Sequence, residues 1–209
     1  MSVTAEQWDG FAAAFGVLGK LHREAPDDAE LAAFRGLQPQ WPLAETSRAR
    51  EGMAALDRSA ALGETARQIA DDHNRLYGDT ARALVAPYES VHRGVEGLVF
   101  DDATMDVRAA YRQLGLQAPK LNREPDDHIG LEFDFVAQLC LQALDALDED
   151  RADDAERLLD TLRRFLHDHL QQWAPGMLGQ VATLAGTRFM AGLALLSQGA
   201  LSSLATALE

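Results

Sequence analysis

The sequence predicts an all-α fold, organised as a single-domain helical bundle. Apolar residues recur at the three- and four-residue spacing of a helix through most of the chain, whereas the alternation typical of strands is almost absent. Hydrophobic residues make up 47% of the 209 residues, which is enough apolar material for a sizeable core. Ordinary helix lengths then divide the chain into roughly eight or more helices.

The N-terminal part is predicted as helices separated by proline and glycine. Thr4 and Gln7 have the spacing of a capping box ahead of the first helix. The segment 39–43 contains two prolines and is predicted to be a connection, because proline breaks a helix interior. An Ala-rich helical stretch follows over residues 44–77, and Gly63 is expected to divide it into two helices.

The C-terminal part alternates between irregular segments and long helices. Residues 78–102 and 117–126 lack clear helical periodicity, and a loop as long as the first usually serves function. The helix after the second segment is apolar on two sides, which predicts a central place in the bundle. The next helix is amphipathic and is expected to end at Pro175. Residues 1–209 are thus predicted to form one domain, with hinges or loops at the two irregular segments.

The charge balance is strongly acidic, with 19 Lys and Arg against 33 Asp and Glu and a formal net charge of −14. This excess argues against nucleic acid as a partner, because phosphate binding needs clustered cations. It favours a cationic partner, or it serves solubility alone. Cys140 is the only cysteine, so no intramolecular disulfide can form, and its apolar surroundings predict a core residue.

The ends of the chain predict a cytoplasmic protein. Residues 1–10 lack the basic start and apolar run of a signal peptide. The last apolar segment, residues 189–208, is interrupted by serine, glutamine and glycine. It is therefore interpreted as a buried helix, and no stable membrane insertion is expected.

The histidines and carboxylates do not complete a metal or catalytic site. His167 and His169 are two residues apart, so on a helix they point to different sides and cannot chelate one ion together. His167 with the next aspartate resembles the His-Asp pair of metal-dependent helical hydrolases, to which His73 and its neighbouring aspartates would add ligands. This HD-like hydrolase remains an alternative. Glu89 and His92 have the spacing of di-iron bundles, but the second copy is missing.

Motifs for phosphate binding and nucleophilic catalysis are also missing. The sequence contains neither G-x-x-x-x-G-K-[ST] nor G-x-S-x-G. We therefore predict no catalytic residue, no metal and no cofactor, and interpret the chain as a non-catalytic helical domain that binds a partner.

The segment 122–135, NREPDDHIGLEFDF, places acids and a histidine beside an apolar helix. Asp126 or Asp127 is expected to cap that helix by accepting hydrogen bonds from its free N–H groups. Gly130 in the first turn costs about 1 kcal/mol against Ala, so its presence suggests that another backbone or a ligand comes close. The residues that capping leaves unexplained are Glu124, His128 and Glu132.

Three segments resemble the TorD/DmsD/NarJ type of redox-enzyme maturation chaperone. Residues 75–92 resemble an Arg-Leu-aromatic-Gly stretch followed by PYESV, and residues 124–139 resemble the E-P-D-H-I-G-x-E signature. Residues 165–177 resemble F-L-x-x-H-L-x-x-W-x-P. The order and spacing agree over about residues 60–177, whereas the N-terminal third matches only in helical character. Two departures are the doubled acid Asp126-Asp127, where Asp127 is favoured for the motif position, and a loop without the usual Gly-Pro.

This resemblance implies an all-helical fold and a chaperone activity without catalysis. Such proteins bind the twin-arginine signal peptide or the apo-form of a molybdopterin-dependent oxidoreductase in the cytoplasm, during cofactor insertion and before export. An alternative within the family is a nitrate-reductase delta-subunit-like assembly factor that binds a non-exported apo-subunit. A homodimer formed by domain swapping stays open. A guanine-nucleotide role has also been suggested for such chaperones, but no phosphate-binding loop supports it here.

A twin-arginine leader has a cationic start and an apolar middle, so its receptor needs carboxylates beside a hydrophobic groove. We expect residues 78–97 and 124–132 to form the two walls of this groove, with Glu124, Asp126, Asp127 and Glu132 as acceptors for arginine. His128 is expected to orient a carboxylate or to tune binding with pH. The predicted peptide-binding residues are Leu76, Tyr77, Pro87, Tyr88, Glu89, Ser90, Val91, Glu124, Asp126, Asp127, His128, Gly130 and Glu132, with Leu84 and Val85 as further apolar contacts.

Overall fold

The structure, a computed structural model, describes residues 3–78, 83–94 and 97–209, and it confirms the all-α prediction. Within these ranges no β-strand forms, and one isolated bridge joins Tyr88 to His128. The α-helices in chain order are α1 (Ala5–Arg23), α2 (Asp28–Leu37), α3 (Ser47–Ala61), α4 (Ala66–Tyr77), α5 (Glu89–Arg93), α6 (Asp102–Gln113), α7 (Ile129–Asp148), α8 (Ala152–Phe165), α9 (Gln171–Leu184) and α10 (Arg188–Leu208). A 3₁₀ turn at Gln38–Gln40 and a π-helical turn at Leu166–Leu170 complete the helical elements described.

Local signals set the helix boundaries at the N-terminal end of the chain. Thr4 caps α1 by accepting a hydrogen bond from the Gln7 N–H at 3.2 Å, and the Gln7 side chain accepts from the Thr4 N–H at 2.9 Å. Gly63 separates α3 from α4 as predicted, and its φ of +67° lies in the left-handed region that glycine adopts without strain.

The central helix of the core is α7, as its two apolar sides predict. α1 runs antiparallel along it, α8 packs on another side, and α10 packs against α3 and α9. The close approach predicted at Gly130 is to another backbone, since a Cβ added there would lie 2.5 Å from the Gly19 carbonyl oxygen. Cys140 lies in this core, and burial raises the pKa of its thiol to about 12, as expected of a structural cysteine.

The prediction that a helix ends at Pro175 is wrong. The chain passes from α8 through the π-helical turn into α9, and Pro175 lies inside α9. Proline removes one backbone hydrogen bond, but Trp173, Met177 and Leu178 are buried around it. Tertiary packing therefore holds the helix together across a residue with poor helix propensity.

The chain breaks instead between α9 and α10, at residues that Asp72 holds in place. The buried Asp72 carboxylate accepts hydrogen bonds from the N–H groups of Gly186 at 2.9 Å and Thr187 at 2.7 Å. Arg75, from the predicted Arg-Leu-aromatic-Gly motif, binds Asp72 with two nitrogens and donates to the Leu184 carbonyl at 2.6 Å. This part of the motif thus connects α4 to the C-terminal helices.

The helix α10 is the single helix of the described ranges that is long and apolar enough to cross a membrane by length and composition. In the structure, 56% of its most apolar window is buried inside the protein. The helix packs on α3 and α9, in agreement with its interpretation as a core helix.

The two irregular segments differ in structure. The first, 78–102, contains α5 and ends where α6 begins, and residues 79–82 and 95–96 within it lie outside the described ranges. The second, 117–126, forms turns in which Ala118 and Pro125 are buried. A role of either segment as a hinge, and domain swapping through it, stay predictions.

Candidate functional site

A cleft of about 330 Å³ opens where the C-terminal ends of α1 and α4 meet Tyr88 and the segment that precedes α7. Its charged lining residues are Arg23, Glu24, Lys120 and Glu124. Its ring-bearing lining residues are His73, Tyr77, Tyr88, His128, Pro119 and Pro125.

Two of the predicted motifs meet at this cleft through their backbones. The Glu89 N–H donates to the Asp127 carbonyl at 3.0 Å, and the Ile129 N–H donates to the Pro87 carbonyl at 2.8 Å. These bonds form the isolated bridge and place the Tyr88 and His128 rings edge to face, with centroids 5.3 Å apart. PYESV and the E-P-D-H-I-G-x-E-like segment are therefore joined directly.

Asp127 is fully buried and serves the fold. Its Oδ2 accepts a hydrogen bond from the Ser90 N–H at 2.7 Å, and its Oδ1 accepts from the Thr104 hydroxyl at 2.8 Å. Asp127 thus connects the start of α5 to α6. It was expected to cap α7, but it does not. The cap of α7 is His128, whose Nδ1 accepts from the Gly130 N–H at 3.0 Å.

Asp126 is also fully buried, in an ion pair with Arg108. The guanidinium donates to both carboxylate oxygens, at 2.8 and 3.0 Å, in the bidentate geometry of a strong charge-assisted pair. The Tyr111 hydroxyl donates to the Asp126 carbonyl at 3.0 Å. The side chains of both Asp126 and Asp127 are therefore hydrogen-bonded to residues of α6.

Glu89 of PYESV and Glu132 of the E-P-D-H-I-G-x-E-like segment lie inside the protein as well. Glu89 is bound by Arg93 and has its Oε2 2.9 Å from the His169 Nδ1. Glu132 accepts a long hydrogen bond from the Trp173 Nε1 at 3.4 Å, and its Oε1 has no partner within the described part of the chain. Burial, followed by the charges of Glu89 and Asp127, raises the pKa of Glu132 well above its ordinary value, so this carboxyl holds its proton more strongly than an exposed glutamate does.

These positions correct the expectation that Asp126, Asp127 and Glu132 are free to accept arginine, whereas the fourth expected acceptor, Glu124, is exposed. Glu89, Asp126, Asp127 and Glu132 each have 0% exposure. Burying an ionised carboxylate costs little free energy only when the carboxylate is paired. The chain itself supplies the partners of Glu89, Asp126 and Asp127. Asp126 and Asp127 join the segment before α7 to α5 and α6, and Glu89 joins α5 to the π-helical turn.

The remaining predicted site residues divide between core and surface. Leu76, Val85, Pro87 and Ser90 are buried, Val91 is partly buried, and Leu84 is exposed. The predicted residues that line the cleft are Tyr77, Tyr88, Glu124 and His128.

The histidines of the cleft are uncharged near neutral pH. Burial, followed by the charges of His73 and Arg23, lowers the pKa of His128 to about 3. Burial also lowers the pKa of His73, whose Nε2 lies 3.1 Å from the His22 carbonyl oxygen. The charge of the cleft therefore comes from its two cations and two carboxylates, and His128 is not a pH sensor in the physiological range.

Glu24 is a cleft residue that sequence reasoning missed. It follows directly on α1, in the third of the chain where the resemblance is weakest. The sequence pattern that could have identified it is an acid just beyond the basic last turn of α1, because the C-terminal end of a helix prefers a cation.

His167 and His169, which were considered as metal ligands, point to different sides of the helical segment, as their spacing predicts. His167 is exposed and has its Nδ1 2.7 Å from the Asp168 Oδ1, whereas His169 turns inward to Glu89. Within residues 3–78, 83–94 and 97–209, no group of three His, Cys, Asp or Glu side chains is arranged to hold a metal ion.

Residues 44–178 match the family model described as the nitrate reductase delta subunit. The chain is 32% identical over 108 residues to Chaperone protein TorD of Photobacterium profundum, covering 52% of this chain and 49% of that protein. It is 32% identical over 122 residues to Chaperone protein TorD of Aeromonas salmonicida, covering 58% and 51%. It is 27% identical over 198 residues to the Tat proofreading chaperone DmsD of Salmonella typhi, covering 92% and 87%.

These matches confirm the resemblance drawn from the three motifs. The chain spans about half the length of the TorD relatives and most of the DmsD relative. All three relatives are named as chaperones, in agreement with the prediction that the chain is not an enzyme.

Proposed function

Because this chain belongs to the nitrate reductase delta subunit family, we propose that it is a TorD/DmsD-type maturation chaperone. Its client is the immature form of a molybdopterin-dependent oxidoreductase, and it binds the twin-arginine signal peptide of that enzyme. It acts in the cytoplasm, because the leader is read before export. The name of the DmsD relative, a Tat proofreading chaperone, supports this assignment.

The observation that carries the proposal is the cleft at the junction of the two motifs. It combines the partly exposed Tyr88 ring with the exposed carboxylate of Glu124. A guanidinium group stacks on an aromatic face and pairs with a carboxylate, so this combination suits an arginine side chain. The net charge of −14 would steer a cationic leader toward the protein.

Residues close to Tyr88 in the sequence offer a candidate surface for the apolar middle of a leader. Four of the nine large hydrophobic side chains that are exposed in the described ranges fall between residues 84 and 105. A concentration of exposed apolar side chains marks interaction surfaces. The four residues are Leu84, Leu98, Phe100 and Met105.

The proposal is tested by calorimetric titration of the full chain with a synthetic twin-arginine leader from a molybdopterin oxidoreductase. Wild-type protein is expected to bind, and Tyr88→Ala should weaken binding about 5- to 10-fold, from the loss of roughly 1 kcal/mol of cation–π contact. Leu62→Ala, an exposed apolar truncation at the end of α3, is the matched control and should leave affinity unchanged. Absence of binding by the wild-type chain would refute the proposal.

A second candidate function is supported by the description of the matched family model. A nitrate-reductase-like assembly factor would bind a non-exported apo-subunit in place of a leader. Co-purification of the tagged chain with a soluble molybdoenzyme apo-subunit, together with no affinity for the synthetic leader, is the result expected of this function.

A further inference from the structure

The four charges of the cleft are unequally satisfied. The Arg23 Nη2 lies 3.1 Å from the Asp134 Oδ2, and the Lys120 Nζ lies 2.7 Å from the Glu124 Oε1. Glu24 is exposed and makes no ion pair with the part of the chain that the structure describes. The Glu24 carboxylate is thus free to bind a ligand, whereas the Glu124 carboxylate is paired with Lys120 of the same chain.

The position of Glu24 is unfavourable for folding. Its N–H closes the last turn of α1 by donating to the Lys20 carbonyl at 3.0 Å, so its side chain stands at the negative end of the helix dipole. The nearby Lys20 ammonium binds Glu30 and leaves Glu24 without that partner. An anion placed against the dipole and open to the cleft is explained better by a cationic ligand than by a contribution to stability.

The ion pair between Lys120 and Glu124 is suited to exchange. Their side chains are 63% and 54% exposed, and a pair so accessible to water contributes only about 0–1 kcal/mol. An arginine offers Glu124 two parallel hydrogen bonds where a lysine offers a point charge. An incoming guanidinium group can therefore replace the ammonium group at little cost.

We propose that Glu24 and Glu124 receive the two adjacent guanidinium groups of a twin-arginine segment, and that Lys120 occupies Glu124 until this segment displaces it. The inference rests on the proposed function, which it deepens by naming the acceptors. Consecutive side chains of an extended peptide point to opposite sides. Two neighbouring arginines thus need carboxylates on two different elements, and the end of α1 and the segment before α7 supply them.

The test is calorimetric titration of the full chain with the same synthetic leader. Glu24→Gln and Glu124→Gln should each raise Kd about 5- to 20-fold, since a charge-assisted hydrogen bond is lost. Glu45→Gln removes an equal, exposed charge outside the cleft and should change Kd less than about 2-fold. Lys120→Gln should lower Kd about 2- to 5-fold, as expected from freeing a surface ion pair.

A double-mutant cycle separates competition from general charge effects. The gain in affinity from Lys120→Gln should disappear in the Glu124→Gln background, because Lys120 then has no carboxylate at position 124 to compete for. Circular dichroism of each variant should match wild type, since all substituted side chains are exposed.

The outcomes distinguish this inference from the function on which it rests. If wild type binds the leader but Glu24→Gln behaves like Glu45→Gln, the assignment of Glu24 is overturned and the proposed function stands. If Lys120→Gln weakens binding, the competitor role is overturned. If wild type fails to bind the leader, the proposed function falls and this inference with it.

Discussion

Replacing Gly19 in α1 by alanine should destabilise the protein, although alanine is the better helix former. The added Cβ would lie 2.8 Å from the Gly130 carbonyl oxygen and 3.1 Å from the Asp134 backbone nitrogen. These atoms belong to the backbone of α7 and cannot rotate away, so the two helices must separate. Gly130→Ala should act in the same way, because its Cβ would lie 2.5 Å from the Gly19 carbonyl oxygen.

The magnitude follows from two opposing effects. Alanine in place of glycine favours a helix by about 1 kcal/mol. Overpacking a close contact costs about 1–3 kcal/mol, and the rigidity of both backbones places this site at the upper end. The net loss should be about 1–2 kcal/mol, which lowers Tm by roughly 2–8 °C in a domain of this size.

Differential scanning calorimetry of matched variants measures this effect. Gly176→Ala in α9 is the control, because no heavy atom beyond its chain neighbours and its own helix backbone lies within 4 Å of its added Cβ, and only the helix preference changes. That variant should gain up to about 1 kcal/mol and raise Tm by roughly 2–4 °C. If Gly19→Ala raised Tm as Gly176→Ala does, the close contact between α1 and α7 would be refuted.

Three further predictions concern the buried acids. Asp127→Asn should cost about 1–3 kcal/mol and speed hydrogen exchange at the Ser90 amide, which donates to this carboxylate; unchanged protection of that amide would contradict the hydrogen bond. Arg108→Met should cost about 3–5 kcal/mol in urea unfolding, because it leaves Asp126 buried without its partner; a loss below about 1 kcal/mol would refute the buried pair. Glu132 has a raised pKa in the folded state, so its contribution to stability is full below the unfolded value of 4.5 and declines as pH rises. Glu132→Gln should therefore gain in Tm relative to wild type between pH 5 and pH 8, and a constant difference would show that Glu132 is ionised when folded.

Much of the fold is readable from the sequence because its signals are local. The Thr4 cap, the break at Gly63 and the two apolar sides of α7 each depend on residues a few positions apart. The passage of the helix through Pro175 was not readable, since it depends on packing by residues distant in the chain. Local propensity and tertiary packing conflict there, and packing prevails.

The candidate site was predictable only in part for the same reason. Motif spacing brought Tyr88 and His128 into one region, and the structure places their rings together. The role of Asp127 was hidden, because an acid before a helix has the same pattern whether it caps that helix or reaches Ser90, 37 positions earlier. Glu24 comes from an element about 100 positions away from Glu124, and no local pattern links the two.

The inward orientation of Asp126, Asp127 and Glu132 changes what the E-P-D-H-I-G-x-E-like motif can tell a biologist. These three acids form a joint between helices, so finding their letters in a chain reports how it is assembled, whereas Glu124 of the same motif faces the cleft. Preference among cargoes would then depend on the charged residues at the mouth of the cleft, such as Glu24 and Lys120. Exchanging those few mouth positions between two chaperones, with the joint left intact, is then the economical route to redirecting one of them to a new client.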